Sequence, residues 1–362
     1  MAVNVGDIIN SSDYNDLVDI VWSVMGDTYG QNFTLTKVTG SSTKDIDNAE
    51  WNTLKTLVDR ASQHQTNANA GIGSQIEGRI IGADASGTSV TRVDSGGVVT
   101  FTQVSATANK GVNDYLNAVT DINTDKYTFS NSEMTETSDG TNGQTTRTTS
   151  WGGEGQPTGI DCQFDIEFPG GYEYIDSNGN TQTATGAQHA QHFFNAGGSI
   201  NISGEGNGTN IKGSDWATML SNMGAVKLER TRTITTGSGN PADGNHNSDE
   251  LGGNDTIGYN TLNNSLQQIF WRGGGDVDSD YAENKIKIYA KKNATGDTVS
   301  FYLQLMDFDT GDQTGTGPPE DEPVQGTFSI KVDYRRATGS NVEVDAPYDA
   351  NVSNELFQGS VT

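Results

Sequence analysis

The sequence contains little cysteine and little positive charge. Its 362 residues include a single cysteine, Cys162, which excludes a disulfide framework within the chain and a metal site built from clustered thiolates. Lysine and arginine number 21 against 47 aspartate and glutamate residues, so the formal net charge is −26. Because such a charge repels phosphate backbones and anionic lipid surfaces, we expect neither nucleic acid nor a membrane as a partner.

The sequence also has no long apolar run and no recognisable secretion signal. No stretch is long and apolar enough to span a bilayer, and residues 1–7 lack the basic and apolar regions of a signal peptide. We therefore expect a protein made in the cytoplasm and not exported by a classical route. Only 32% of the residues are hydrophobic, while glycine occurs 45 times, a composition typical of thin β-layers rather than of a deep α/β core.

Two stretches near the N-terminus show apolar residues at helical spacing. They cover residues 8–26 and about 45–64, and neither predicted helix is long enough to be stable alone. Such a helical arm would pack on itself, on a partner or on symmetry copies; its apolar area favours assembly, because a lone helix pair cannot bury all of it. The side chains predicted to anchor the arm are Tyr14, Leu17, Val21, Trp22, Trp51, Leu54 and Leu57.

The remaining chain divides into a middle region and a strand-rich C-terminal region. A hairpin is predicted around residues 94–97 and a helix at about 110–123, followed by a long polar stretch that places a boundary near residue 150. Beyond residue 160, roughly eight short alternating runs are typical of an antiparallel β-sandwich. The predicted fold is therefore α+β, with a helical arm (1–68), a small α/β middle region (69–149) and a C-terminal sandwich (150–362).

Residues 190–203 read as the end of a helix, a glycine stop and a strand. Two adjacent phenylalanines close the helix, and two isoleucines alternate with polar residues in the strand. The residues predicted to fill the sandwich core are Phe193, Phe194, Ile200 and Ile202.

The segment Phe-Phe-Asn-Ala-Gly-Gly-Ser-Ile at residues 193–200 resembles a segment of structural proteins of tailed phages, particularly those that infect aquatic bacteria. The resemblance extends to a tryptophan-centred helix at 215–220, an Ile-Gly-Tyr strand start at 257–259, a strand at 284–290 and the Asp-rich turn at 307–312, and more loosely to residues 1–65. It implies a virion component such as a tail fibre, a collar or neck protein or a baseplate appendage. The implied partners are other copies of the chain and other virion proteins, and the shared motifs carry no catalytic chemistry.

The Asp-rich turn is a candidate calcium site. Asp307, Asp309 and Asp312 have a spacing that could wrap Ca²⁺, although the full twelve-residue loop pattern is missing. The alternative is a solvated acidic turn between two strands, which is the commoner use of such residues.

Three histidines suggest further sites. His189 and His192, three residues apart on a predicted helix, would form either a metal pair or structural polar contacts, and we favour the latter. His64, at the end of the second helix, would act in metal or proton chemistry or, as we favour, simply as a polar helix end.

A carbohydrate-binding or carbohydrate-cleaving receptor module is the alternative function. It would use aromatic residues expected in loops, namely Trp151, Tyr172, Tyr174 and Trp271. Glycan cleavage requires two carboxylates at a set distance, and no local motif singles out such a pair, so we expect a protein that is not an enzyme. A surface-layer or adhesin domain is a third reading, disfavoured by the lack of an export signal.

Overall fold

The computed structural model describes residues 11–38, 48–72, 90–94, 97–101, 112–138, 143–153, 158–236, 256–273, 284–308, 322–348 and 350–354. These residues form a mixed α+β protein with helices at the N-terminus and antiparallel sheets beyond them, which confirms the predicted fold class. The helices are α1 (Ser11–Val21), a π-helix (Trp22–Thr28), α2 (Asn48–Thr66), α3 (Val112–Thr124), α4 (Gly186–Asn195) and α5 (Ile211–Met223), with a 3₁₀ turn at Asn131–Glu133.

The strands form two hairpins and two larger sheets. They are β1 (Val90–Asp94), β2 (Gly97–Phe101), β3 (Met134–Ser138), β4 (Gln144–Arg147), β5 (Gly159–Glu167), β6 (Glu173–Ile175), β7 (Thr181–Thr183), β8 (Ser199–Gly208), β9 (Val226–Leu228), β10 (Thr233–Thr235), β11 (Gln267–Gly273), β12 (Lys285–Lys292), β13 (Thr298–Met306), β14 (Gly326–Ala337) and β15 (Asn351–Asn354). The first sheet has the order β10–β9–β8–β14–β3, with β4 also paired to β14, and the second has the order β11–β12–β13–β5–β15. The hairpins are β1–β2, in which Asp94 pairs with Gly97 as the predicted hairpin requires, and β6–β7.

The N-terminal helices bury their apolar faces within the chain. Helices α1, α2 and α3 pack together, and the ring of Trp51 makes edge-to-face contacts with Tyr14 at 5.2 Å and with Tyr115 of α3 at 4.9 Å. The premise of the predicted anchoring role is therefore wrong, because α3 and the rest of the chain cover the area that a lone helix pair would expose. Every member of the anchoring set is at most 6% exposed: Tyr14, Leu17, Val21, Trp22, Trp51, Leu54 and Leu57.

The predicted middle region is divided between its neighbours. Helix α3 packs on α1 and α2, whereas β3 and β4 pair with β14, almost 200 residues further along the chain. The predicted boundary at residues 149/150 therefore cuts the first sheet and needs correction.

The second sheet has one apolar and one polar face. Ile288, Leu303 and Cys162 face one another across β12, β13 and β5, and all three are fully buried. The alternate residues Tyr289, Tyr302 and Gln163 form the neighbouring row and are half-buried. The alternation predicted from the sequence thus separates an inner face from an outer face.

Helix α5 lies on the inner face of the first sheet. Strand β8 places Gly204, Gly206 and Gly208 on that face, where a Cβ atom on Gly204 would come within 2.6 Å of Leu220 and one on Gly208 within 2.1 Å of the Gly213 backbone. Side chains at these positions would force the helix away from the sheet.

The predicted β-sandwich therefore has to be amended to include a helix. Both ends of α5 reach the second sheet, through an ion pair from Lys212 to Asp307 and a hydrogen bond from Arg272 to the carbonyl of Asn222. Buried apolar residues of both sheets and all five α-helices belong to one continuous core, which contains the four predicted core residues Phe193, Phe194, Ile200 and Ile202.

Candidate functional site

The helical unit, formed by α1, the π-helix, α2 and α3, packs on the β-rich body that contains the two larger sheets. We call the contact between them the joint. It consists of residues 26–31, hairpin β6–β7, helix α4 and the segment 341–345. Gly26 approaches the hairpin so closely that a Cβ atom there would lie 1.8 Å from the carbonyl oxygen of Ile175. The backbone N–H of Ile175 donates to the carbonyl of Gln31 at 3.1 Å. A π-helix, a form often found at functional positions, thus supplies one side of the joint.

Gln31 connects the joint to the last third of the chain. Its side chain is 8% exposed and donates to the carbonyls of Tyr29 at 2.9 Å and Glu343 at 2.8 Å, while its oxygen accepts from the N–H of Glu343 at 3.3 Å. Arg60 of α2 donates to the carbonyl of Asn341 at 3.0 Å. Segments about 300 residues apart are therefore held together by buried or half-buried hydrogen bonds.

Residues 193–195, at the end of α4, contribute to the joint. Phe193 and Phe194 are buried, and the side-chain amide of Asn195 donates to the carbonyl of Thr28 in the π-helix at 3.3 Å. The side-chain oxygen of Asn195 accepts from Arg230 at 3.0 Å. The role of this asparagine is thus to fix the π-helix against α4.

Gly197 completes this segment. It has a φ of 89°, and a Cβ atom at this position would lie 2.3 Å from the ring of Phe129. Only glycine combines this backbone conformation with that close approach.

The two histidines of α4 form structural contacts rather than a metal pair. Nδ1 of His192 accepts a hydrogen bond from the hydroxyl of Tyr172 at 2.6 Å, whereas the ring nitrogens of His189 contact the carbonyls of Pro169 and, at 3.0 Å, Asp345. Burial, followed by the charge of His189, lowers the pKa of His192 to about 4. The His192 ring is therefore neutral at neutral pH.

His64 was expected to be a polar helix end, but it is a core residue. It is fully buried, neither ring nitrogen has a hydrogen-bond partner, and its ring packs edge-on against Tyr29 at 5.0 Å. Burial lowers its pKa to about 4, although the nearby backbone of Ala196 partly offsets this effect. A cation at the end of α2 is therefore unfavourable at this position.

A small polar cavity of about 240 Å³ opens beside the joint. Its lining includes Tyr29, Tyr172 and the acidic residues Glu173, Glu343 and Asp345. Burial and then the charge of Asp345 raise the pKa of Tyr172, so its hydroxyl stays protonated and donates to His192. The cavity has room for a small polar molecule, but it does not present a phenolate nucleophile.

The predicted calcium ligand Asp307 is engaged elsewhere. Its carboxylate pairs with the ammonium group of Lys212 at 2.8 Å, and both side chains are 1% exposed. The carboxylate that was expected to bind Ca²⁺ is thus neutralised by the Lys212 ammonium group. Asp309 and Asp312 lie outside the described residues. Among the described residues, no group of three or more His, Cys, Asp or Glu side chains is arranged to hold a metal ion.

The aromatic residues suggested for carbohydrate binding are not displayed on loops. Trp151, Tyr174 and Trp271 are buried, and Tyr172 is half-buried against His192. The indole ring of Trp151 instead packs edge-on against that of Trp216 in α5, with ring centroids 4.7 Å apart. Carbohydrate binding would therefore need a different surface, and sequence spacing alone could not separate displayed from buried rings.

In the part of the chain that the structure describes, no helix is both long and apolar enough to cross a membrane.

Comparisons with known proteins identify no relative of this chain. No family model matches the chain, and neither curated proteins nor solved structures include a match to it.

Proposed function

We propose that the chain is a structural, non-enzymatic component of a tailed-phage particle, located in a fibre, the collar or neck, or a baseplate appendage. The proposal starts from the resemblance of residues 193–200 to structural proteins of such particles. Its support is the use of that segment in the joint, where Phe193 and Phe194 fill the core and Asn195 fixes the π-helix. Residues used in this way determine the shape of the chain, and a defined shape is what a particle subunit requires.

The long-range ties across the joint favour a rigid subunit. Gln31 bonds to Glu343 and Arg60 bonds to Asn341, so that the helical unit and the C-terminal part of the body cannot separate without breaking buried or half-buried hydrogen bonds. Each such bond contributes on the order of 1 kcal/mol. A subunit held together in this way can transmit force or maintain spacing within an assembly.

Assembly contacts would use outward-facing residues rather than the predicted anchoring set. Ile211 is 72% exposed and Phe308 is 42% exposed. They directly adjoin Lys212 and Asp307 in sequence, and the ion pair between those two residues brings the two chain segments together. Neighbouring exposed apolar side chains are a feature of interaction surfaces.

The location of the chain is tested on particles purified in a density gradient from a lysate that contains it. Gold-labelled antibody against the chain should mark the tail, neck or baseplate in electron micrographs. If the chain stays at the top of the gradient and no particle carries label, the proposal is overturned.

The assembly surface is tested separately with two variants of the full chain. Ile211→Asp combined with Phe308→Asp should lower the amount of chain per particle while the circular dichroism spectrum is unchanged. Leu266→Asp is the matched control, since Leu266 is 49% exposed and belongs to a different segment. Equal incorporation of both variants would refute this surface and leave the location to be decided by the labelling.

A further inference from the structure

The outer face of the second sheet gathers lysines on one strand. Lys285, Lys287 and Lys291 alternate with buried residues along β12, and Tyr289 lies between the last two. All four side chains point away from the core, because the intervening Ile286, Ile288 and Ala290 are fully buried. We call these four residues, together with Tyr302 of β13, the lysine–tyrosine face.

The positive charges of this face are not neutralised within the described chain. Among the described residues, no carboxylate lies within ion-pair distance of Lys287 or Lys291, and Lys285 instead lies over the ring of Trp271 at 5.6 Å. Three lysines on one strand without an ion pair among the described residues are unusual in a chain with 21 basic and 47 acidic residues. The lysine row on β12 attracts an anionic ligand locally, whereas the carboxylates Asp161 and Asp165 lie two strands away on β5.

The same face carries aromatic rings and hydrogen-bond acceptors. Tyr289 and Tyr302 are direct cross-strand partners with ring centroids 6.5 Å apart. Tyr302 donates a hydrogen bond to the carboxylate of Asp161 on β5. On the same strand, the side-chain amide of Gln163 donates to the carboxylate of Asp165 at 3.0 Å. All these side chains are half-buried and so remain partly accessible.

We propose that the lysine–tyrosine face binds an acidic polysaccharide. The flat tyrosine rings would carry the apolar face of a sugar, the lysines would bind its carboxylates, and the carboxylates of β5 would accept hydrogen bonds from its hydroxyls. An acidic peptide or polyphosphate lacks the array of hydroxyl donors that Asp161 and Asp165 would bind, and a neutral glycan leaves the lysines unused. A sugar acid satisfies all three groups together.

The dimensions of the stripe fit a short oligosaccharide. Residues two apart on a strand are separated by about 7 Å, so the line from Lys285 to Lys291 is about 20 Å long. That length accommodates about four sugar rings. The proposal does not depend on the chain being a phage component, and its failure would leave that proposal unaffected.

The test uses the full chain and three probes of similar length: tetragalacturonic acid, the neutral sugar maltotetraose and the acidic peptide tetraglutamate. Binding is measured by calorimetric titration at low salt. Tetragalacturonic acid should bind at least about tenfold more tightly than either of the other probes, and binding should weaken as salt is added, because exposed charges are screened.

Variants assign the binding to the face. Lys287→Gln combined with Lys291→Gln should weaken binding about tenfold or more. Tyr289→Thr should weaken binding about threefold to tenfold, which is the change in affinity expected from the loss of one aromatic contact. Lys331→Gln is the matched control, because Lys331 is a half-exposed strand lysine in the first sheet, paired with Glu205. It should leave the affinity unchanged.

Three results would overturn the proposal. The first is a failure to assign sugar binding to the face, either because tetragalacturonic acid does not bind or because Lys331→Gln weakens binding as much as the double variant does. The second is equal binding of tetraglutamate together with no effect of Tyr289→Thr, which would indicate recognition of charge alone. The third is self-association at low salt that the double lysine variant abolishes while the sugar does not bind, which would assign the face to a second copy of the chain.

Discussion

Acidification from pH 7 to pH 5 should destabilise the fold through two buried imidazoles, His64 and His192. Burial lowers the pKa of each from 6.5 to about 4. Between these two values the unfolded chain binds a proton at each histidine that the folded chain does not bind, so the free energy of unfolding falls as the pH falls. The loss begins near pH 6.5 and is complete below pH 4.

The size of the effect follows from the two pKa values. Each histidine should lower the free energy of unfolding by about 2 kcal/mol between pH 7 and pH 5, and by about 3 kcal/mol once the pH is below both values. His64 is the cleaner probe, because no other side chain forms a hydrogen bond with its ring and only the nearby backbone of Ala196 favours its charged form, whereas His192 accepts a hydrogen bond from Tyr172. Replacing His64 therefore removes a proton-binding group without breaking a side-chain hydrogen bond.

The assay is urea unfolding of the parent chain and of His64→Phe at both pH values. Phenylalanine keeps a ring against Tyr29 but cannot bind a proton. Carboxylates titrate in both proteins, so their contribution cancels when the two pH-dependent losses are subtracted. The loss should be about 2 kcal/mol smaller in the variant. Equal losses in the two proteins would show that the His64 ring is not held neutral, and would refute the reasoning.

Three further substitutions test the packing that positions the joint and α5. Lys212→Met should lower the free energy of unfolding by about 3 to 5 kcal/mol, because it leaves the Asp307 charge buried without its cation, and adding Asp307→Asn should recover part of the loss in urea unfolding. Gly208→Ala should cost about 2 kcal/mol or more, since its Cβ atom would overlap the backbone of α5, and a loss below 0.5 kcal/mol would contradict the observed approach. Gln31→Ala should cost about 1 to 2 kcal/mol and speed hydrogen exchange at the N–H of Glu343, whereas unchanged exchange there would show that this bond does not hold the joint.

Local signals in the sequence predicted the elements better than their ends. Apolar periodicity located α1, α2 and α3 to within a few residues, and the alternation of β12, β13 and β14 is as expected. The tryptophan-centred helix was expected at 215–220, but Asn210 caps α5, and the helix begins at Ile211. The earlier start brings Lys212 into the helix and into the core, which is why the ion pair with Asp307 could not be foreseen.

The sequence of strand β8 carries a pattern that indicates the full length of the strand. The strand was expected to end near Ser203, since the apolar alternation stops there, yet it continues to Gly208. Glycine at every second position, from Gly204 to Gly208, maintains the period of two with the smallest side chain. That pattern indicates a strand face on which another element packs closely, as α5 does.

Pairings between distant segments lie beyond any local signal. Nothing in residues 134–147 indicates that they pair with β14, because strand partners are selected by the whole core and not by the strand sequence alone. The same holds for the joint, where Gln31 meets Glu343. For this reason the predicted boundary near residue 150 separates strands that belong to one sheet.

The acidic charge of the chain makes the two proposed surfaces respond oppositely to salt. With a net charge of −26, copies repel one another at low salt, so an apolar contact at Ile211 and Phe308 should strengthen as salt screens the repulsion. Binding of an acidic sugar at Lys287 and Lys291 should weaken over the same range, because it depends on attraction between exposed charges. One salt series that follows both the oligomeric state and the affinity for tetragalacturonic acid therefore separates the surfaces. If both responses ran in the same direction, one of the two assignments would be wrong.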